Sequence, residues 1–199
     1  MNVWVMDQTA ASDDTCTWDA MLRYARGDNS AYREVYDQLA PPLHRFCLRL
    51  CAGTPEADDL LQETLLKLHR ARASYRSDLN PLYWSYAIAR CAYVDRLRRR
   101  KARPETPQSP QTGQDSVAGN DNPEADLRAT QLRAAIITAL SAQPEAARTA
   151  YILVRLQGLS VSDAAGVLGA SPDATKQRVH RVAEALRQSL QSQGLDFDG

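Results

Sequence analysis

The chain has 199 residues, with 24 Lys+Arg against 24 Asp+Glu and a formal net charge of zero. That length gives room for one or two domains with their own cores, while no run approaches the roughly 18 apolar residues that a membrane-spanning helix needs. The start lacks a signal peptide's basic residues and long apolar stretch, and four irregularly spaced cysteines do not make a disulfide scaffold, so the expected location is a reducing cytoplasm.

The zero is a sum of unlike segments. Residues 1–19 hold four aspartates and no Lys or Arg, and read as an acidic, disordered tail. From Lys67 to Arg103 there are eleven basic residues against two acids, a net of +9. Residues 104–126 hold five acids and no base. Like-charge blocks of this kind mark interaction surfaces or solvated tails.

Helical periodicity runs through both halves, and no segment keeps a period-2 alternation. The predicted helices are 17–26, 28–51, 55–72, 81–102, 125–141, 144–157, 160–168 and 172–191. Proline repeatedly follows a cap-forming residue at a helix start, as in Thr54-Pro55, Asn80-Pro81, Asn122-Pro123 and Ser171-Pro172. The fold class is all-α.

Within 28–51, His44, Cys47 and Cys51 fall at i, i+3 and i+7. Such a set can bind zinc or sense oxidation. Leu43, Phe46, Cys47 and Leu50 also form an apolar stripe there, and free cysteine is a common core residue. Packing is the reading adopted, with Cys91 also expected to be packed.

On 55–72, Ala57, Leu61, Thr64, Leu65 and Leu68 share a core face. Asp58, Asp59, Gln62 and Glu63 gather opposite, with Leu66 among them. This is either a solvated acidic face with one stray leucine or a docking surface, an apolar knob ringed by acceptors.

Residues 72–80 form a polar loop carrying Arg72, Tyr75, Arg76 and Asn80. Helix 81–102 is apolar nearly all round at its start, which suggests burial on several sides. Trp84, Ala87, Ile88 and Cys91 make one face; Tyr83, Tyr86, Arg90 and Tyr93 cluster on another. Rings interleaved with arginine suit single-stranded nucleic acid, because bases stack on rings while cations hold phosphates. A single tyrosine is as readily a core residue with a satisfied hydroxyl. The helix ends in the basic run Arg96–Arg103.

Residues 104–124 are rich in proline and glutamine, acidic and almost without apolar side chains, and read as a flexible linker. Beyond it, 159–190 has the pattern of a helix-turn-helix. Ser160 caps a short helix, Ala164, Ala165 and Gly166 permit a close crossing, and Gly169 suits the turn. Thr175, Val179, Val182, Ala183, Leu186 and Leu190 form the buried stripe of the second helix. Ala174, Gln177, Arg178 and Arg181 point away from it, flanked by Lys176 and His180, as base and phosphate contacts require.

In this order the pieces resemble a bacterial sigma factor of the extracytoplasmic-function (ECF) group, within the sigma-70 family. Asp58-Asp59-Leu60-Leu61-Gln62-Glu63 is similar to the family's polymerase-binding helix. Trp84-Ser85-Tyr86-Ala87-Ile88-Ala89-Arg90 through Asp95-Arg96-Leu97-Arg98-Arg99-Arg100 is similar to its region-two helix. Gly158-Leu159-Ser160 through Gly169, and Thr175 through Arg181, are similar to region four's helix-turn-helix. The resemblance implies two small helical domains, region 2 over 20–103 and region 4 over 125–192, with tails at 1–19 and 193–199.

It also implies roles. Asp58, Asp59, Gln62, Glu63 and Leu66 would bind the beta-prime coiled-coil of core RNA polymerase, and region 4 the beta flap. Arg72, Tyr75, Arg76, Asn80, Tyr83, Tyr86, Arg90 and Tyr93 would hold the single strand at the −10 element. Arg96, Arg98, Arg99, Arg100, Lys101 and Arg103 would hold upstream duplex phosphates. Ala174, Lys176, Gln177, Arg178, His180 and Arg181 would meet the −35 element. A further implied partner is an anti-sigma factor, often membrane-bound. Departures from the family pattern are Cys91 in place of asparagine, Gln157 in place of an acid, Ala164-Ala165-Gly166, and Asp173-Ala174-Thr175.

No catalytic pattern is visible: there is no phosphate-cradling glycine loop, HExxH or serine elbow. No enzyme activity, cofactor, metal or small-molecule substrate is expected. The alternative reading is a helix-turn-helix regulator that acts without being a polymerase subunit.

Overall fold

Proline and the residue before it set several of the helix starts. The structure, a computed structural model, describes residues 14–102 and 123–192, with side-chain surroundings over 18–102 and 130–192. The linker, most of the N-terminal tail, the C-terminal tail, the Asn122 cap and Arg103 lie outside the described residues.

The N-terminal half contains α1 (Asp14–Ala25), a 3-10 turn (Asn29–Ala31), α2 (Tyr32–Leu50), α3 (Glu56–Ala71), a second 3-10 turn (Arg72–Ser74) and α4 (Pro81–Ala102). The C-terminal half contains α5 (Pro123–Ser141), α6 (Glu145–Tyr151), a π turn (Ile152–Leu156), α7 (Val161–Leu168) and α8 (Pro172–Ser192). Every regular element among the described residues is helical, and no helix there is long and apolar enough to cross a membrane. The boundaries differ from expectation at the N-terminus, where α1 starts at Asp14, inside the expected tail.

The apolar spacing of α2 buries Val35, Leu39, Leu43, Phe46, Cys47 and Leu50 on one side. Leu39, Leu43, Phe46 and Leu50 are each at most 1% exposed, and burial of such a side chain stabilises by about 1.5–3 kcal/mol. α3 meets this stripe with Ala57, Leu60, Thr64 and Leu68. Leu60, fully buried, is absent from the expected stripe, and Leu61 and Leu65 lie at its half-buried edge. The buried hydroxyls are satisfied locally: Thr64 donates to Leu60 O at 2.7 Å and Ser85 to Pro81 O at 2.7 Å.

The expected all-round burial of α4 has its cause in its neighbours, chiefly α2, α3 and α7, with α1 also in contact. Phe46 and Tyr86 pack at 4.7 Å between ring centroids. Asn80 caps α4, its Oδ1 accepting from Leu82 N at 2.9 Å. Thr54 does not cap α3. Its hydroxyl donates to Cys51 O at 2.9 Å, finishing the preceding helix instead.

In the C-terminal half, α8 packs on α5, α6 and α7 through Thr175, Val179, Val182, Leu186 and Leu190. Gly169 ends α7 at φ 62°, in the left-handed region that glycine adopts without strain. The two halves share one continuous core.

Candidate polymerase and nucleic-acid interface

The first site lies on the outward side of α3. Its N-terminal turn carries Glu56, Asp58 and Asp59, where the helix dipole favours negative charge. Asp59 and Gln62 are exposed. Leu66 is 58% exposed, the most open of the large apolar side chains among the described residues. Asp58 takes part in a 3.0 Å contact between its Oδ1 and His44 Nε2.

Glu63 differs from these. Its carboxylate meets Arg96 Nε at 2.7 Å, Arg99 Nη2 at 3.2 Å and Lys67 Nζ at 3.3 Å. Burial by itself raises its pKa, but hydrogen bonds from Arg96 and Lys67 outweigh that and hold it below the usual glutamate value. Arg100 pairs with Glu56. The acidic residues read from α3 and the basic run read from α4 therefore line one open groove, formed by Asp59, Gln62, Glu63, Leu66, Arg96, Arg99 and Arg100. Only Arg98 and Lys101 of that run are exposed without an ion pair among the described residues.

The second site surrounds the loop after α3. Arg72 donates to His69 O at 2.8 Å and lies 5.6 Å from the Tyr24 ring centroid. Arg76 is exposed and pairs with Asp78 at 2.7 Å. The Asn80 amide is taken up by capping. Tyr75 is buried, its hydroxyl bonded to Leu79 O at 2.6 Å and its ring 5.3 Å from Trp84; burial pushes its pKa up to about 12. Tyr83 is half-buried. Tyr86 and Tyr93 are 1% and 8% exposed, and the C-terminal half covers them together with Arg90. Desolvation raises the pKa of both tyrosines.

The face expected from Trp84, Ala87, Ile88 and Cys91 lines a second groove, whose other wall is Lys67, Arg70 and Ala71 of α3. Cys91 is exposed there, which corrects the expectation of a packed cysteine. How α3 and α4 pack to leave this groove open is not encoded in the periodicity of either helix alone.

The third site is the outer face of α8. Ser171 Oγ accepts from Ala174 N at 3.2 Å, and Ser160 Oγ from Asp163 N at 3.1 Å, so both helices of the motif start on serine caps. Lys176, Gln177, His180 and Arg181 are exposed, while Ala174 and Arg178 are half-buried. None of these five polar side chains has a hydrogen bond or ion pair among the described residues. A face of free donors beside a sheet-free, three-helix support is a surface ready for an acceptor-rich groove.

The family models for Sigma-70 region 2 and Sigma-70 region 4 match residues 35–103 and 133–186. The ECF RNA polymerase sigma factor SigF of Caulobacter vibrioides is 34% identical over 171 residues, which cover 85% of this chain and 91% of the relative. The chain belongs to the ECF sigma factors of the sigma-70 family. SigM of Mycobacterium tuberculosis is 31% identical over 86% of this sigma factor and 83% of its own length. The fold is shared with the sigma factor RpoE in complex with the anti-sigma factor NepR from Bartonella quintana, at a TM-score of 0.65, 23% identity and coverage of 80% of this chain and 96% of that one. It is also shared with CnrH in complex with the cytosolic domain of CnrY, at 0.64 and 19%, covering 88% and 97%. Family membership gives the chain the function of an RNA polymerase sigma factor, a transcription initiation factor, rather than of a regulator separate from polymerase.

Cys47 and Cys51 of this sigma factor pack in the core. Cys47 is fully buried and Cys51 nearly so. Burial pushes their thiols up to about 12 and about 11, far from the thiolate that metals and oxidants attack. No group of three metal-ligating side chains occurs among the described residues.

Proposed function

We propose that this sigma factor divides its work among the three faces. Leu66, ringed by Asp58, Asp59 and Gln62, docks on the beta-prime coiled-coil of core polymerase, and the C-terminal half meets the beta flap. Glu63 contributes from the edge of that patch and also holds Arg96 and Arg99 in place. Arg72, Arg76 and Tyr83 begin the single-strand path at the −10 element, and Tyr86, Arg90 and Tyr93 continue it. Tyr75 and Asn80 shape the loop rather than touch bases. Arg98 and Lys101, with Arg96, Arg99, Arg100 and Arg103, hold duplex phosphates upstream. Ala174, Lys176, Gln177, Arg178, His180 and Arg181 read the −35 element.

The observation that supports this most is Leu66, more than half exposed at the centre of an acceptor-rich surface. An apolar side chain so placed is what an interface core uses. The free outer face of α8 supports the same division. The chain acts in the cytoplasm, without catalysis of its own and without a small-molecule substrate. A protein of similar fold, RpoE, was co-crystallised with the anti-sigma factor NepR, and an anti-sigma partner, membrane-bound or soluble, covers the same faces here.

Reconstitution tests the reading. Core polymerase with the chain added initiates at discrete genomic promoters, and core alone does not. Initiation that is unchanged by Leu66→Asp removes α3 from the docking role.

A further inference from the structure

The groove between α3 and α4 is built from two helical stripes. Lys67, Arg70 and Ala71, at i, i+3 and i+4, form the α3 wall; Trp84, Ala87, Ile88 and Cys91, at i, i+3, i+4 and i+7, form the α4 side. The groove holds about 500 Å³ and is lined mainly by apolar atoms. Trp84, Ala87 and Ile88 are half-buried and Cys91 is exposed. Tyr75 braces the Trp84 ring at 5.3 Å between centroids.

The two cations of the α3 wall differ. Lys67 is committed to Asp95 at 3.1 Å and Glu63 at 3.3 Å. Arg70 is exposed at the rim, with no hydrogen bond or ion pair among the described residues. An apolar groove with a free cation on its rim fits a short apolar segment that carries a carboxylate beside it.

The chain itself contains such a segment. Val3-Trp4-Val5-Met6 is followed by Asp7, and no Lys or Arg occurs in residues 1–19. Trp4 supplies the kind of large ring that anchors interfaces. The reach is sufficient. Tyr24, ten residues along α1 from Asp14, lies 2.5 Å from His69 Nδ1 through its hydroxyl and 5.6 Å from the Arg72 guanidinium through its ring. Those two residues flank Arg70 and Ala71 in sequence. Asp14 is thus only ~15 Å along the helix axis from that point, whereas the ten residues from Trp4 to Asp14 extend up to ~33 Å.

We propose that Val3–Asp7 of this chain's own N-terminus occupies the α3–α4 groove in the free protein, with Trp4 on the apolar floor and Asp7 paired to Arg70, and that it leaves when nucleic acid arrives at the adjoining loop. The docking stands on the groove and the segment alone; the release rests on reading Arg72 and Arg76 as part of the single-strand path.

Cys91 reports the groove directly. The full-length chain, its Trp4→Ser variant and a chain lacking residues 2–12 are labelled with N-ethylmaleimide, and the Cys91 peptide is quantified by mass spectrometry, with circular dichroism melting to verify each fold. Trp4→Ser keeps every charge, so it separates occupancy from any effect of the aspartates on the thiol. A segment docked about four-fifths of the time leaves about one-fifth of the molecules open and slows labelling about fivefold. Both variants therefore label Cys91 about fivefold faster than the full-length chain. A peptide of residues 1–12 restores the slow rate to the truncated chain, and dilution of the full-length chain changes nothing. Equal Cys91 rates in all three chains overturn the docking. A full-length rate that rises on dilution also overturns it, because the segment in the groove then belongs to a second copy.

Fluorescence polarisation of a fluorescein-labelled, mixed-sequence DNA single strand reads the release, and strand affinity rises about fivefold in Trp4→Ser. Faster labelling without tighter strand binding overturns the release. Arg72→Ala with Arg76→Ala in the truncated chain then locates that failure: unchanged strand affinity places it in the single-strand reading, and a fall places it in the release itself.

Discussion

Leu66→Ala separates docking from folding because its neighbour in sequence space, Leu68, provides the internal control. Leu66 is 58% exposed and Leu68 is 1% exposed, although both are leucines on α3. Full burial of a leucine side chain is worth about 1.5–3 kcal/mol. A little over half of that, roughly 1–1.5 kcal/mol, is still available to a partner at Leu66, equivalent to about a tenfold loss of affinity on truncation. The isolated chain changes by less than about 0.5 kcal/mol, as for other surface sites. Leu68→Ala instead opens a cavity costing about 2–5 kcal/mol, which lowers the melting temperature by roughly 5–15 °C for a chain of this size. Anisotropy titration of the labelled chain with core polymerase measures the first effect, and thermal melting followed by circular dichroism the second. Core affinity within twofold of wild type for Leu66→Ala, at unchanged stability, refutes the docking role of this face.

The remaining predictions concern charge, thiols and caps. Glu63 has a folded pKa below its ordinary value, so its contribution to stability is fully present above about pH 4.3 and is lost as pH falls through the lowered value. Glu63→Gln removes that part of the acid dependence, and chemical denaturation at pH 3–6 shows a smaller difference between wild type and variant toward the acid end. A thiol reagent at pH 8 modifies exposed Cys91 quickly and reaches Cys47 and Cys51 only on unfolding, because burial holds those two thiols at about 12 and about 11; mass spectrometry of the labelled peptides checks the order. Gly169→Ala forces a Cβ into the left-handed region and destabilises the C-terminal half by about 1–2 kcal/mol, while Ser171→Ala loses a cap worth about 1 kcal/mol. Hydrogen exchange of α7 and α8 resolves both.

Much of the helical order is written in single-helix signals. The stripe on α8 and the caps at Asn80, Ser160 and Ser171 are each settled by residues within one turn of one another, and periodicity reads them directly. Leu60 escapes that reading because it sits at the expected stripe's edge, where packing against α2 decides burial. Thr54 has the right type and position for a cap, yet the preceding helix competes successfully for its hydroxyl. The meeting of Glu63 with Arg96 and Arg99 depends on the register between α3 and α4, across 33 and 36 residues. The cover over Tyr86 and Tyr93 comes from residues of the other half, including Arg148, whose sequence context carries no sign of it. Exposure of Cys91 depends on how α3 packs beside α4, where Lys67, Arg70 and Ala71 form the other wall of its groove.

Promoter-directed initiation is the decisive experiment. Core polymerase, genomic DNA and the purified chain are incubated with nucleotides, and transcript 5′ ends are sequenced. The three-face arrangement predicts discrete start sites that vanish when Leu66→Asp or the pair Arg178→Ala and Arg181→Ala is introduced into a chain that still folds. Start sites identical to those of core alone, or sites that persist in both variants, contradict it.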